Sequence, residues 1–426
     1  MIRFYNGKVL YFTRSGPVVA DDEVHVDGER IVYAGPRKAS EGSCFDREID
    51  LNGDLLMPGF KNAHTHSPMN FLRSLADDRP LDLWLRESCW PNEAKLDDEA
   101  VYNITRLSIL EYLSSGTTAV FDMYNHSEAF SRACADSGFR AVICSAMNDF
   151  DRDPADIERD YLKLNGFGAG LVSYRLGIHA EYTTGLERLK YMVSLAEKYR
   201  EPCWTHLCET KGEVEGCLSR YGMTPPQFLD SLGFFRFGGG GYHCVWMSDG
   251  DIDLFAKKNL HAVTCPSSNL KLSSGIAPVA AMLRAGISVA IGTDSAASNN
   301  ALDMFREMYL VSTLQKYLEN DPTACPAADV LKMACVSGAR CMGLDDCDGI
   351  AAGKKADLTV MDLHRPNMRP LNNLPVNLVY AGSKENVRLT MVIGRVLYED
   401  GRFFIGEEAE SIYEKAEKFM REKVRS

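Results

Sequence analysis

Two histidines, His64 and His66, are separated by one residue and follow the apolar run that begins at Leu55. The chain has only nine histidines. Residues i and i+2 of a β-strand point to the same side of the strand. If the run ends a strand, both imidazoles therefore face the same way, as a divalent metal such as zinc requires. The alternative is two surface histidines that alternate by chance, because H-x-H alone is a weak signal.

Three further polar residues, His206, His243 and Asp294, each end a separate apolar run. Taken singly, each histidine has an ordinary explanation as a buried core or turn residue. Asp294 has one as the N-cap of a helix that follows a strand. Five such residues at strand ends are harder to explain by chance, and they favour one shared site.

The chemistry that this set would support is hydrolysis. Zinc lowers the pKa of water from about 15.7 toward 7, which makes hydroxide available at neutral pH. Asp294 can then take the proton, and His243 can orient the attacking oxygen or polarise the group under attack. Glu209 lies three residues beyond His206 and can carry a proton to a substrate ring. Its alternative is a solvated loop glutamate.

The elements that would position these residues alternate in type along the middle of the chain. Short β-rich runs recur with helical patterns between them and give about eight βα units, counting the run before His64. This number predicts a (β/α)8 barrel of the TIM type, whose active site lies at the carboxyl ends of the strands. The seven later runs are TTAVFDMY, FRAVICSAMND, YRLGIHAEYT, PCWTHLCET, GGYHCVWM, HAVTCPSSNL and SVAIGTDSAA.

The two ends of the chain have a different sequence pattern from the middle. Short apolar segments and turns fill the first 55 residues, and similar segments return in KKADLTVMDL and VRLTMVIGRVLYEDGRFF. The two ends are therefore predicted to pair into one small β domain around the barrel. The predicted boundaries are 1–57 for its first part, 58–350 for the barrel, and 351–426 for its second part with a C-terminal helix.

Composition excludes several other classes of protein. The 426 residues carry a net charge of −12 and no basic run, which opposes a nucleic-acid partner. No apolar stretch is long enough for a membrane span, and the N-terminus lacks a signal peptide, so a cytoplasmic location is expected. The 13 scattered cysteines form no C-x-x-C pair. The fourth β-rich run, YRLGIHAEYT, offers no lysine to bridge two metals, which favours one metal ion.

Several long motifs resemble those of the amidohydrolase superfamily, and within it the 5'-methylthioadenosine/S-adenosylhomocysteine deaminases. The similarity spans nearly the whole chain. The motifs are PGFKNAHTH, LADDRPLDLWLRESCWPNEAKL, HLCET, HCVWMSD, PSSNLKLSSGIAPV, IGTDSAASNNALDMFREM and GKKADLTVMDL.

The resemblance implies a (β/α)8 barrel with a β-sandwich from both termini and hydrolytic removal of the exocyclic amine of an adenine ring. It implies that Glu209 handles the proton of the purine ring and that His243 assists the attacking hydroxide. Zinc is the expected metal, although iron and manganese suit the same ligands. The metal ligands that it implies are His64, His66, His206 and Asp294.

The resemblance also implies a nucleoside pocket. Glu93 would contact the ribose hydroxyls, and a carboxylate can indeed accept two hydrogen bonds from a cis-diol. Its alternative is an ordinary acid at a helix start. Trp84 and His179 could line the pocket, with the tryptophan stacking on or covering an apolar part of the ligand. A tryptophan in such a helix can equally be a core residue.

One departure concerns the 5' substituent of the substrate. Members that accept S-adenosylhomocysteine are expected to hold its carboxylate with arginine near the end of the third strand, where this chain has Ser145, Ala146 and Met147. Arg152 or Arg159 in the following segment could substitute. Smaller, less charged groups are therefore favoured, as in 5'-methylthioadenosine, 5'-deoxyadenosine or adenosine.

Two other functions stay open at this level. The first is an aminohydrolase of a free purine, pterin or triazine ring on the same scaffold, which would have no ribose for Glu93 to hold. The second is a catalytically silent member that acts as a binding module. The amphipathic C-terminal segment from Glu407 to Arg425 and the size of the barrel favour a homo-oligomer.

Overall fold

The computed structural model describes residues 1–37, 44–75, 77–79, 81–150 and 153–425. Its first seven strands precede the barrel and belong to two sheets. They are β1 (Ile2–Tyr5), β2 (Lys8–Thr13), β3 (Gly16–Ala20), β4 (Glu23–Asp27), β5 (Arg30–Gly35), β6 (Arg47–Asp50) and β7 (Leu55–Pro58).

The next eight strands are all parallel and pair in chain order, so that each lies beside the one before it. The last comes back to the first, where the Asp294 amide donates to the His64 carbonyl at 2.9 Å. The predicted (β/α)8 barrel is thus confirmed. The strands are β8 (Phe60–Thr65), β9 (Thr117–Met123), β10 (Arg140–Cys144), β11 (Val172–Ala180), β12 (Cys203–Leu207), β13 (Gly239–His243), β14 (His261–Thr264) and β15 (Ser288–Ile291).

Four more strands return to the terminal domain: β16 (Leu358–Met361), β17 (Val387–Val392), β18 (Arg395–Glu399) and β19 (Arg402–Phe403). They join a seven-stranded sheet in the order β19-β18-β17-β16-β7-β2-β3, while the other sheet runs β5-β4-β1-β6. The antiparallel pair β7–β16 is where the two ends of the chain meet. Apolar residues of both sheets, such as Phe4, Val26 and Leu358, share one core. The β-sandwich from both termini is therefore also confirmed, whereas the boundaries at residues 57 and 350 stay a prediction.

Helices lie between the barrel strands and after them. They are α1 (Leu81–Trp84), α2 (Trp90–Glu93), α3 (Asp98–Ser114), α4 (Ser127–Ser137), α5 (Pro154–Leu164), α6 (Phe167–Gly170), α7 (Leu186–Tyr199), α8 (Lys211–Tyr221), α9 (Pro225–Ser231), α10 (Asp249–Lys258), α11 (Pro266–Lys271), α12 (Val279–Arg284), α13 (Met304–Glu319), α14 (Ala327–Lys332), α15 (Gly338–Cys341), α16 (Leu374–Tyr380) and α17 (Ala409–Phe419).

The run that leads to the histidine pair differs from the expectation of a single strand. It is split at Gly59 into β7, which belongs to the terminal domain, and β8, which belongs to the barrel. A Cβ atom at Gly59 would lie 2.2 Å from the Thr118 side chain, so only glycine fits at this crossing. His64 and His66 still lie at the carboxyl end of a barrel strand, as predicted.

The interior of the barrel is filled by aromatic side chains below the strand ends. Trp204 and Tyr242 are buried, and their rings stack with centroids 5.8 Å apart. Trp204 has room because Gly240 faces it, since a Cβ there would lie 2.8 Å from the indole. Tyr242 in turn stacks under the ring of His64 at 4.0 Å. The floor of the candidate site is therefore formed by stacked, buried aromatic rings.

The C-terminal helix packs on its own chain. Ile412, Ala416 and Met420 are buried, and Phe419 meets Phe71 edge to face with ring centroids 5.5 Å apart. The amphipathic pattern that suggested self-association is thus explained by packing within one chain. The homo-oligomer stays a prediction without that support.

Candidate metal centre and active site

Three histidines from two barrel strands converge at the carboxyl end of the barrel. One ring nitrogen from each of His64, His66 and His206 lies within 4.8 Å of the others. The closest pair is His66 Nε2 and His206 Nε2, which are 3.3 Å apart. Strands β8 and β12 lie on different sides of the barrel, so only the closed sheet brings these residues together.

Hydrogen bonds fix which nitrogen of each ring faces the centre. His66 Nδ1 donates to the Met123 carbonyl at 2.6 Å, and His206 Nδ1 donates to the His179 carbonyl at 2.7 Å. A neutral ring that donates from Nδ1 has a lone pair on Nε2. Two such lone pairs 3.3 Å apart repel each other unless a cation lies close to both. Within the described part of the chain, neither ring nitrogen of His64 has a hydrogen-bond partner. These features fit a metal ion.

Burial favours the neutral form that metal binding needs. Loss of water around His64 lowers its pKa well below the usual value, and the neighbouring histidines add to the effect. The pKa of His206 is lowered for the same two reasons. Both rings therefore keep a free lone pair in the pH range where proteins work.

Asp294 completes the cluster from the end of β15. Its Oδ1 lies 3.4 Å from His66 Nε2 and 3.9 Å from His64 Nε2. Burial alone would raise the pKa of Asp294, but the neighbouring imidazoles of His66 and His243 and two serine hydroxyls outweigh it and lower the pKa. Its backbone has a φ of 58°, a left-handed value that costs a non-glycine residue energy and is common at functional sites.

Glu209 and His243 lie beside this cluster as a second pair. Glu209 Oε2 is 3.9 Å from His243 Nε2, and His243 Nδ1 donates to Asn269 Oδ1 at 2.8 Å. Burial raises the pKa of Glu209. Burial opposes a charge on His243, but the carboxylates of Glu209 and Asp294 outweigh it and raise its pKa. Environments that shift neighbouring groups in this way are typical of acid and base pairs in enzymes.

One cavity of about 950 Å³, a size suited to a small molecule, contains most of these groups. Those that line it are His66, His206, Glu209, His243 and Asp294. The cavity also contains the residues predicted for substrate binding. Glu93 accepts a hydrogen bond from Tyr124 at 2.8 Å, and His179 contacts Thr183 at 2.9 Å. Burial lowers the pKa of His179 to about 4, so its ring is neutral. Trp84 is buried and lines the cavity, so it serves the core and the pocket together.

A model of the amidohydrolase family matches residues 55–397, which is most of the chain. The chain belongs to the amidohydrolase family. The resemblance inferred from the motifs is thereby confirmed.

Two curated relatives of this amidohydrolase are named as deaminases of adenine nucleosides. It is 40% identical to a 5-methylthioadenosine/S-adenosylhomocysteine deaminase of Pelotomaculum thermopropionicum over 95% of each chain. It is also 40% identical to a 5'-deoxyadenosine deaminase of Methanothermobacter thermautotrophicus, over 93% of this chain and 92% of the relative.

A solved structure agrees over the same length. An adenosine deaminase from Xanthomonas campestris with bound zinc superposes with a TM-score of 0.94 and 32% identity, covering 100% of this chain and 98% of that one. No helix in the described residues of this amidohydrolase has both the length and the apolar character needed to cross a membrane.

The end of the third barrel strand carries no cation, as the sequence predicted. Ser145 there uses its hydroxyl to donate to the Gly177 carbonyl at 2.7 Å. Arg159 lines the cavity but is held by two acids of its own helix, with Asp156 at 2.6 Å and Asp160 at 3.8 Å. Arg152 lies outside the described residues. Of the two candidate arginines, the one described is thus already paired.

Sequence reasoning missed the residues that hold the charged groups in place. Asn269 orients His243, while Ser268 and Ser298 donate to Asp294 Oδ2 at 2.5 Å and 2.8 Å. All three lie in quoted motifs, but serine and asparagine at the start of a helix or in a turn have ordinary explanations. They are not at strand ends, so the rule that found the other residues did not reach them.

Proposed function

We propose that this amidohydrolase is a metal-dependent deaminase of adenine nucleosides, which releases ammonia and leaves the inosine analogue. The observation that carries the proposal is the convergence of three histidines, two of which line the same cavity as the Asp294 carboxylate and the Glu209–His243 pair. The names of the relatives supply the substrate class, since two of them are deaminases of adenine nucleosides. The zinc in the structure of similar fold supports zinc over iron or manganese.

We assign the metal site to His64, His66, His206 and Asp294. When bound there, a divalent ion supplies hydroxide at neutral pH by lowering the pKa of water. Asp294 accepts a proton of the attacking water through Oδ1, the oxygen that faces the histidines. Its lowered pKa keeps it ionised and ready for this role.

Glu209 and His243 serve the substrate side of the same reaction. Burial keeps the Glu209 carboxyl protonated to higher pH than usual, so it can donate a proton to a ring nitrogen as water adds to the amine-bearing carbon. His243 keeps a fixed direction because Asn269 accepts its Nδ1 hydrogen. Its Nε2 can then hold the attacking oxygen in line. Asp294 then passes the proton that it took from water to the amine, which leaves as ammonia as the carbon–nitrogen bond breaks. The proton of the new hydroxyl returns to Glu209 as the carbonyl forms.

Glu93 distinguishes a nucleoside from a free base. Its carboxylate lines the cavity at the end of α2, and a π-helical turn over Leu85–Cys89 precedes it. We assign it to the ribose hydroxyls, with Trp84 and His179 as further walls of the pocket. The alternative function, an aminohydrolase of a free purine, pterin or triazine, has a substrate without a ribose for Glu93 to hold.

The effect of removing the Glu93 carboxylate on the deamination of adenosine tests this assignment. Glu93→Ala should lower kcat/KM for adenosine about tenfold to a hundredfold, because a carboxylate loses its hydrogen bonds to the diol. Glu99→Ala, an exposed acid at the start of α3, is the matched control and should leave kcat/KM unchanged. An equal kcat/KM for Glu93→Ala and wild type would favour the free-base function.

The proposal also specifies the charge of the substrate's 5' group. Because Arg159 is paired with two acids and the third strand ends without a cation, we assign the site to uncharged 5' groups. Steady-state rates with 5'-methylthioadenosine, 5'-deoxyadenosine, adenosine and S-adenosylhomocysteine decide this. We expect the last to have a kcat/KM at least about tenfold lower than the best of the others. A preference for S-adenosylhomocysteine would contradict the assignment.

A further inference from the structure

A buried glutamate that the proposed reaction does not use lies next to the site. Glu307 is in the first turn of α13, and its side chain is completely shielded from solvent. Its two oxygens accept hydrogen bonds from different segments, one from the Ser267 amide at 3.0 Å and one from the Asn299 side-chain amide at 2.8 Å. Ser267 lies in the first turn of α11, which follows β14, and Asn299 lies in the turn that follows β15.

The same two segments also hold Asp294. Ser268, the neighbour of Ser267, donates its hydroxyl to Asp294 Oδ2 at 2.5 Å. Ser298, the neighbour of Asn299, donates to the same oxygen at 2.8 Å. Each segment therefore gives one donor to Glu307 and, from an adjacent residue, one hydroxyl to Asp294.

This arrangement divides the work between the two oxygens of Asp294. Oδ2 accepts the two hydroxyls, whereas Oδ1 accepts the Ser295 amide at 2.6 Å and lies 3.4 Å from His66 Nε2. A carboxylate that can rotate would present either oxygen to the histidines. The two serines fix Oδ2 on the side away from the histidines, and they can do so only while the segments after β14 and β15 keep a fixed separation.

We propose that Glu307 is a positioning residue for Asp294, which it orients through Ser268 and Ser298 by joining the start of α11 to the turn after β15. The proposal rests on the function proposed above, because it takes Asp294 as the base and metal ligand. A purely structural alternative exists, in which Glu307 only caps α11 through the Ser267 amide. The two differ in whether the effect of Glu307 passes through the serine hydroxyls.

A double-mutant cycle separates these two roles. Glu307→Ala in the wild-type background should lower kcat for an adenine nucleoside about tenfold or more and change KM less than about twofold, because the walls of the cavity are untouched. In the Ser268→Ala/Ser298→Ala background, which has already lost the link, the same change should lower kcat less than about threefold. Equal factors in the two backgrounds, or an unchanged kcat in the wild-type background, would overturn the proposal.

Metal retention gives a readout that does not depend on turnover. The rate of zinc loss to a chelator should rise about tenfold both in Glu307→Ala and in the serine double variant, and no further when the changes are combined. Equal retention in wild type and variants would overturn the proposal. A wild-type protein without turnover would overturn the proposed function instead, and the chelator comparison would still decide the role of Glu307.

Two more variants guard against a loss of folding. Asn299→Ala removes one donor to Glu307 and should show the same non-additivity with Ser298→Ala; additive effects would overturn the proposal. The matched control is Asp251→Asn, another completely buried carboxylate at a helix start, which accepts from the Ser248 amide at 3.0 Å and from the Thr224 hydroxyl. It should lower Tm and leave kcat within about twofold. A kcat loss equal to that of Glu307→Ala would show a general packing effect and overturn the proposal.

Discussion

Strand β8 carries Lys61 near its start and His64 near its end, and both side chains are completely buried. At the start, the Lys61 ammonium donates to the Thr118 hydroxyl at 2.7 Å and to the Gly59 carbonyl at 3.0 Å. At the end, neither nitrogen of His64 has a hydrogen-bond partner within the described residues. In this part of the chain, the Lys61 side chain is thus hydrogen-bonded by the protein, and the His64 side chain is not.

The cluster of opposite charges at the start of β8, formed by Lys61, Arg140 and Asp357, joins the barrel to the terminal domain. Asp357 precedes β16 and lies 3.0 Å from Arg140 Nε and 3.9 Å from Lys61 Nζ. The Ile393 amide donates to its other oxygen at 2.8 Å. Burial alone would raise the pKa of Asp357, yet Arg140 and Lys61 outweigh it and lower the pKa. Opposite charges here stabilise each other without any added ion.

The difference teaches how to tell a structural polar cluster from a functional one in the same fold. Burial of charge is common to both. At the amino end of the barrel, two buried cations face the buried carboxylate of Asp357. At the carboxyl end, two lone pairs face each other at 3.3 Å, and His243 and Asp294 have left-handed backbones. Groups held at such a cost are typical of functional sites.

The largest expected effect comes from the carboxyl end. Asp294→Ala should lower kcat/KM for an adenine nucleoside about 10⁴-fold, because both the base and a metal ligand are lost. Thermal unfolding should show a protein that stays folded, since, among the described residues, histidines are the only basic side chains in ion-pair distance of this carboxylate. A kcat/KM within about tenfold of wild type would contradict the role of Asp294.

The amino end should respond in the opposite way. Asp357→Asn should lower the free energy of unfolding by about 3–5 kcal/mol, since it leaves Arg140 and Lys61 buried without their counter-charge. The kcat of the folded fraction should stay within about twofold of wild type. Denaturant unfolding and steady-state kinetics at low temperature measure the two quantities. A large loss of kcat with unchanged stability would reverse the assignment of the two ends.

Glu209→Gln is a more selective test of the carboxyl end. It keeps the shape of the side chain but removes the proton donor, so kcat should fall about 10²–10³-fold. Metal content should remain that of wild type, because Glu209 contacts His243 and lies outside the predicted ligand set. Loss of metal in this variant would show that the division between ligands and proton carriers is wrong.

The smallest expected effect concerns the ribose side of the cavity. Tyr124→Phe removes the hydroxyl that donates to Glu93 at 2.8 Å and should cost about 1 kcal/mol, or about fivefold in kcat/KM for nucleosides. Tyr102→Phe is the control, because its hydroxyl donates to Asp136 at 2.9 Å on the surface. Equal effects of the two changes would remove Tyr124 from the pocket.

The sequence predicted the carboxyl end better than the amino end. His206, His243 and Asp294 were found because a polar residue that ends an apolar strand has a position given by the barrel itself. Lys61 lies inside such a run, and nothing in the local pattern shows that its partner is Asp357, nearly 300 residues later along the chain.

Other features escaped for the same physical reason. The split at Gly59 depends on the Thr118 side chain of the next strand. The hydroxyls on Asp294 come from a residue 26 positions before it and from one four positions after it. Periodicity reports which face of an element is buried, whereas these contacts depend on how separate elements meet. They become visible only when the strands are placed side by side.

Metal content measured together with turnover tests the central claim most directly. Elemental analysis of the purified protein should give about one divalent ion per chain, as expected for a single site of this ligand set. A chelator should remove the ion and abolish the deamination of 5'-methylthioadenosine together, and zinc should restore both. The His66→Ala variant should hold no ion and should not deaminate 5'-methylthioadenosine. Turnover that persists after the metal has been removed, or a wild-type chain that binds no metal, would contradict the account.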